Sequence, residues 1–231
     1  MYRKPHWPFF APAALTLAAL CAACAQPTHV PAKETQMTAS VSSAPAIQPY
    51  RPHTLEEFPQ FTPQEMGQRV LALIDSLKSV DELSLEHIQK VTGFPMERVS
   101  QPAMVDYSFT IHFPDSGWYY GLDYRKNKKK FAEFRFGNPS DDHDVYHLPS
   151  MTPVCLDYDA YVAALERMGF KKKFDDYDDR GWVALTNYRR ANVSVTVSGR
   201  READQPDVKR RHACLESMSF AFVLRSLAKI S

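Results

Sequence analysis

The chain has 231 residues, of which 44% are hydrophobic and 12% aromatic, a composition typical of a folded globular protein. Its 28 lysines and arginines nearly balance its 27 aspartates and glutamates. A balanced chain has no long-range field to gather nucleic acid, so the composition argues against a nucleic-acid partner.

The amino terminus has the pattern of an export signal, with basic Arg3 and Lys4 ahead of an uncharged run from Phe9 to Ala25. The run is short and rich in alanine compared with a membrane-spanning helix, which needs about 20 predominantly apolar residues. We therefore interpret it as a targeting segment and expect the rest of the chain to be soluble.

Two processing routes fit the end of this segment. Ala23 and Ala25 suit cleavage by signal peptidase I before Gln26, which would leave a secreted periplasmic protein. The stretch LCAAC at positions 20–24 resembles the lipobox of bacterial envelope lipoproteins, and its first cysteine replaces the usual leucine. The resemblance implies a signal peptide over 1–23 and lipidation of Cys24. Ala25 then implies an outer-membrane anchor that faces the periplasm, and we favour this second route.

Residues 24–54 are rich in proline, alanine, serine and threonine and show no apolar periodicity, which predicts a flexible tether. Cleavage before Gln26 removes Cys21 and Cys24, and the lipoprotein route removes Cys21 and acylates Cys24, so either route leaves Cys155 and Cys214 as the two unmodified cysteines of the four in the chain. An even pair in an oxidising compartment predicts a disulfide bond between them, and two buried thiols are the alternative.

Three helices are predicted from their end signals. The first helix begins at Thr62, with Pro63 at its first position and Glu65 as the capping-box residue. The second begins at Ser84 and ends at Gly93, and the third extends from Asp157 to Met168 and ends at Gly169. Alternating apolar and polar residues predict strands over Val105 to Phe113, Trp118 to Tyr124, Phe131 to Phe136, Trp182 to Tyr188, Asn192 to Val197 and Cys214 to Leu224.

A short motif recurs in the two parts of the chain. The sequence DSGW ending at Trp118 reappears as DRGW ending at Trp182, and Tyr-Arg follows each tryptophan six residues later. We interpret the motif as a glycine turn that leads into an aromatic strand. The predicted fold class is α+β, with two similar halves, 55–150 and 151–231, each made of helices followed by an antiparallel meander, either as separate units or as one domain.

Candidate chemistry is sparse. The cluster Asp141 to His147 holds His143 and His147 at helical spacing, but flanking prolines predict a loop, so we predict no metal site there. The acidic run Asp175 to Asp179 lacks the register of a calcium loop, and we predict a solvated hairpin turn. Nucleophile, phosphate-loop and dinucleotide motifs do not occur, which argues against an enzyme and predicts no cofactor.

These features predict a tethered domain that presents a surface to another protein. Our leading hypothesis is an outer-membrane lipoprotein that binds a protein partner, as an inhibitor or immunity factor. The predicted contact is an aromatic sheet face with anchors at Trp118, Tyr120, Trp182 and Tyr188. One alternative is a structural or assembly role in the envelope. Another is a small-ligand carrier or hydrolase whose site has no recognisable motif.

Overall fold

A computed structural model describes residues 50–99, 106–126, 130–138, 149–201 and 212–223. All of them belong to one unit, Pro45–Ser231. Cys24, the lipobox and the cluster from Asp141 to His147 lie outside the described residues. The described chain contains no helix with the length and apolar character needed to cross a membrane.

The three predicted helices are confirmed, and a side-chain cap begins each of them. They are α1 (Pro63–Ser76), α2 (Leu85–Thr92) and α3 (Tyr158–Arg167). The caps accept a backbone N–H three residues ahead, as Asp157 does from Ala160 at 2.7 Å. One detail differs from the predicted capping box, because the Glu65 carboxylate accepts a bond from Arg69 Nε at 2.7 Å.

The described strands form one mixed sheet of nine strands. The bounds are β1 (His53–Thr54), β2 (Glu97–Arg98), β3 (Tyr107–Phe113), β4 (Trp118–Arg125), β5 (Phe131–Gly137), β6 (Lys171–Tyr177), β7 (Val183–Arg190), β8 (Val193–Arg200) and β9 (Cys214–Phe222). Their order is β1-β3-β4-β5-β9-β8-β7-β6, and β2 pairs with β3. The pairing of β5 with β9 joins the two predicted halves in a single sheet.

Three segments differ from the sequence prediction. His53 and Thr54, placed in the tether, form β1 and pair in parallel with Ile111 and His112 of β3. The short strand β2 was not predicted. Residues 171–177 form β6, so the prediction of a turn beginning at Asp175 is wrong, and the actual turn follows the strand. The strand β6 lies at the edge of the sheet and has no fully buried residue, so its sequence lacks the alternation of apolar and polar residues by which the other strands were predicted.

All three helices pack on one face of the sheet, which we call the helix face. Register places Leu122, Phe134, Met218 and Val197 in one row across β4, β5, β9 and β8, and all four side chains are buried. This row belongs to a single hydrophobic cluster that includes residues of all three helices. The opposite side of the sheet, which we call the open face, carries the alternate polar residues of the same strands.

The repeated DxGW motif has the same backbone role in both places. Gly117 and Gly181 adopt left-handed φ angles of 73° and 78°, which glycine accommodates without strain. Each turn leads into a strand, β4 or β7. The tryptophans differ, because Trp118 is completely buried, whereas Trp182 is half-buried.

The predicted disulfide is confirmed between Cys155 and Cys214, which are 59 residues apart. It ties the segment before α3 to the start of β9. Two backbone hydrogen bonds flank it, from Leu215 N to Leu156 O and from Tyr158 N to Ala213 O. The crosslink therefore secures an attachment between α3 and the sheet.

Candidate functional site on the open face

The predicted aromatic anchors lie mostly inside the protein. Trp118, Tyr120 and Tyr188 are at most 1% exposed and point to the helix face, where the Tyr120 hydroxyl donates to Val154 O at 2.9 Å. Their side chains therefore offer no contact surface in this conformation. Trp182 is half-buried, and the guanidinium carbons of Arg201 and Arg180 lie 5.3 and 6.0 Å from its ring.

The open face is a polar surface that crosses six adjacent strands of the sheet. One row of side chains runs across six strands in register: Ser108, Asp123, Glu133, Ser219, Thr196 and Asn187. Neighbours in this region bond to one another, as when Asn187 donates to Thr196 Oγ1 at 2.9 Å and the hydroxyls of Ser198 and Ser217 lie 2.7 Å apart. Such bonds hold the polar groups in fixed positions on the sheet.

A charged cluster lies in this row where β3, β4 and β5 meet. The buried carboxylate of Asp123 accepts a bond from Ser108 Oγ at 2.6 Å and lies 2.6 Å from Arg135 Nε. Glu133 is directly opposite Asp123, and burial together with that negative charge raises the pKa of Glu133. Asp123 therefore balances the charge of Arg135 and orients its guanidinium along the sheet.

A pocket of about 420 Å³ opens beside this cluster. Its lining residues are Tyr50, Pro52, Thr54, Thr110, His112, Tyr119 and Arg135. The Arg135 guanidinium carbon lies 5.6 Å from the centre of the Tyr119 ring. Gly137 permits this arrangement, because a Cβ there would lie 2.5 Å from the Tyr119 hydroxyl oxygen. The pocket thus combines an aromatic wall with polar groups that can orient a bound side chain.

The end of the predicted tether forms one wall of the pocket. Tyr50 reaches over the sheet beside Thr110 and Ser108, and burial raises the pKa of its hydroxyl. The carboxylate of Glu57 holds this segment in place, since it accepts bonds from Arg51 Nη2 at 2.5 Å and from Thr54 N at 2.9 Å. These bonds lower the pKa of Glu57 from 4.5 to about 2, with the Arg51 contact as the larger cause.

We predict that Glu57→Gln loosens the pocket wall. A carboxylate with a lowered pKa stabilises the folded segment above its ordinary pKa of 4.5, and this stabilisation is lost as the pH falls towards about 2. Hydrogen exchange of the Thr54 amide should therefore accelerate roughly tenfold in the variant at pH 7. Wild-type exchange, corrected for the intrinsic rate, should rise similarly on acidification. Unchanged exchange in Glu57→Gln would contradict this role, and Glu56→Gln is the matched control.

Another group of candidate ligands occurs at the disulfide. Cys155, His212 and Cys214 have ligand atoms within 4.8 Å of one another, and His212 Nε2 lies 2.8 Å from Asp157 Oδ2. Both sulfurs are bonded to each other, so they do not provide the thiolates that a metal requires. The sequence stretch that contains His143 and His147, where we predicted a loop and no metal site, lies outside the described residues.

Comparisons of the chain with protein-family models, with curated proteins and with solved structures found no match.

The pocket was not predicted from the sequence. Thr110 and His112 occupy the polar positions of a predicted alternating strand, which was the available signal. The contact between these positions and Tyr119, Arg135 and the segment around Tyr50 depends on strand register and on β1.

Proposed function

We propose that this chain is a lipid-anchored protein of the bacterial envelope that binds another protein through its open face. The observation that carries the proposal is the pocket between Tyr119, His112 and the end of the tether, set in a polar and half-exposed sheet surface. Protein interfaces combine an apolar anchor pocket with a surrounding polar rim. The partner would place an aliphatic or aromatic side chain in the pocket.

The shape of the site favours a protein over a small molecule. The pocket is open to solvent on a sheet surface. Beyond it, half-exposed polar side chains such as Glu133, Ser217 and Ser219 extend the surface across the neighbouring strands. A small ligand would leave this fixed polar surface unused, whereas a protein would cover both. The surface suits the inhibitor or immunity role that we favour, in which the protein binds its target without reacting with it.

The amino-terminal sequence supports the proposed location. The lipobox-like stretch would place a lipid on Cys24, and the following proline-rich segment leads to Tyr50 at the pocket. A tether of roughly 30 residues, as the sequence predicts, would have an r.m.s. span of about 30 Å, enough to hold the domain away from the membrane surface. The open face would then be accessible to a partner in the periplasm.

The test is capture of a partner from envelope extracts with the full-length protein, followed by binding measurements on the purified pair. We expect His112→Glu to weaken binding at least about tenfold, because it places a charge at the pocket wall without disturbing the helix face. Gln89→Glu adds the same charge to the exposed surface of α2 and serves as the matched control.

The proposal requires that the two variants differ in their affinity for the partner. Equal affinities for His112→Glu and Gln89→Glu would exclude the pocket as the contact. Failure to recover a stable partner with the wild-type protein would contradict the binding function. Circular dichroism of both variants establishes that any difference arises from the surface and not from unfolding.

A further inference from the structure

The strand β6 is the last strand of the described sheet and is unusually exposed. Phe174 and Tyr177 are 56% and 58% exposed, which are high values for aromatic side chains. In the described sheet, β6 pairs only with β7 and so presents outward-facing backbone N–H and C=O groups along its other edge. Such an edge can pair with another strand.

The residues of β6 read KKKFDDY, with three lysines before Phe174 and two aspartates after it. Lysine on an edge strand ordinarily repels other strands. This strand carries the opposite charges in its second part, so a copy that runs in the reverse direction presents aspartates to the lysines. Charge repulsion therefore does not oppose the pairing of β6 with itself.

The two sets of charges also lie on matching faces. The register with β7 shifts by one residue between Lys172 and Phe174, and this bulge places Lys171 and Asp176 on the open face and Lys172 and Asp175 on the helix face. Side chains must share a face to interact across a strand pair. An antiparallel pair therefore brings Lys171 opposite Asp176 of the second copy, and Lys172 opposite Asp175, in the same register.

We propose that two copies of this chain associate through antiparallel pairing of β6 around a two-fold axis. The axis passes between Lys173 and Phe174, so each Phe174 lies opposite Lys173 of the second copy and diagonally across the axis from the other Phe174. In the single copy Lys172 Nζ already bonds to Asp175 Oδ2 at 2.8 Å, and both side chains could turn to the second copy. The paired strands join two sheets into one continuous sheet. This inference does not depend on the proposed function.

The test is sedimentation velocity of the full-length protein over a concentration series, with two single charge reversals. In a dimer of the Lys171→Glu variant, the introduced glutamate of each copy faces Asp176 of the other, which gives two repulsive acidic pairs. In a dimer of the Asp176→Lys variant, the introduced lysine of each copy faces Lys171 of the other, which gives two repulsive basic pairs. We expect each variant alone to raise the dimer dissociation constant at least about tenfold. An equimolar mixture of the two should dimerise as the wild type does, because each reversed charge then meets an opposite charge in the other variant.

Lys90→Glu, an exposed reversal on α2, is the control for net charge and should leave dimerisation unchanged. Circular dichroism shows whether each variant is folded, and recovery on mixing is a result that misfolded variants cannot give. A wild-type protein that remains monomeric at all concentrations up to several hundred micromolar would overturn the proposal. Association that is insensitive to both reversals, or is not restored by mixing, would overturn it equally.

Discussion

Removal of the disulfide with Cys155→Ala and Cys214→Ala should lower the free energy of unfolding by about 4 kcal/mol, as the chain-entropy model gives for a loop of this length. The bond spans 59 residues and ties the segment before α3 to β9. Without it, the unfolded chain gains freedom, while the two flanking hydrogen bonds still hold the native attachment. Urea unfolding followed by circular dichroism measures the difference.

Reduction of the wild-type protein with a dithiol provides an independent comparison. The reduced protein and the double variant lack the same crosslink, so their midpoints should lie close together, with that of the double variant slightly lower, and both should fall well below that of the oxidised wild type. Cys214 is 4% exposed, and the change to alanine adds a small loss of packing that reduction does not. A double variant within about 1 kcal/mol of the wild type would show that the crosslink has little effect on the unfolded state.

The helices and inner strands could be predicted because their signals are local. Thr62, Ser84 and Asp157 cap helices through bonds to residues three positions ahead, so a short stretch of sequence contains both partners. Gly93 and Gly169 end helices with left-handed backbone angles, which is likewise a property of one residue. Alternation in β3 and β4 separates buried from polar positions for the same reason.

The candidate site could not be predicted because it depends on register and on side chains that lie far apart in the chain. Asp123 meets Arg135 only because β4 pairs with β5, and Tyr50 reaches the pocket only because β1 pairs with β3. Three of the four predicted aromatic anchors, Trp118, Tyr120 and Tyr188, are buried for a physical reason. In an alternating strand the large aromatic residues occupy the buried positions, as Trp118 and Tyr120 do, so the contact surface is found at the positions between them.

A second large effect is expected at Arg190, which fastens the ends of two helices to the sheet. Its guanidinium donates to the carbonyls of Asp75 at 2.8 Å and Ile74 at 3.2 Å, at the end of α1, and to Met168 at 3.0 Å, after α3. It also lies 4.5 Å from the centre of the Phe170 ring. The last turn of α1 contains no basic residue of its own, so Arg190 supplies the positive charge there.

We predict that Arg190→Ala lowers the free energy of unfolding by about 3 kcal/mol, because several carbonyls at two helix ends lose a charged donor. The partial exposure of the side chain, 24%, keeps the estimate below the sum of the separate bonds. Arg190→Lys should recover only part of the loss, since an ammonium group cannot reach both helix ends in one plane. Urea unfolding of the three proteins measures these differences.

Asp75→Asn separates the helix-end bonds from the ion pair. Asp75 Oδ1 lies 2.6 Å from Arg190 Nη1, but its side chain is 55% exposed, so the ion pair should contribute less than about 1 kcal/mol. The asparagine variant keeps every backbone carbonyl that Arg190 contacts. If Asp75→Asn destabilised the protein as much as Arg190→Ala, the ion pair would be the main contribution, and the proposed role of Arg190 at the helix ends would be wrong. A small loss in Asp75→Asn beside a large loss in Arg190→Ala would assign the stabilisation to the bonds that hold α1 and α3 to β7.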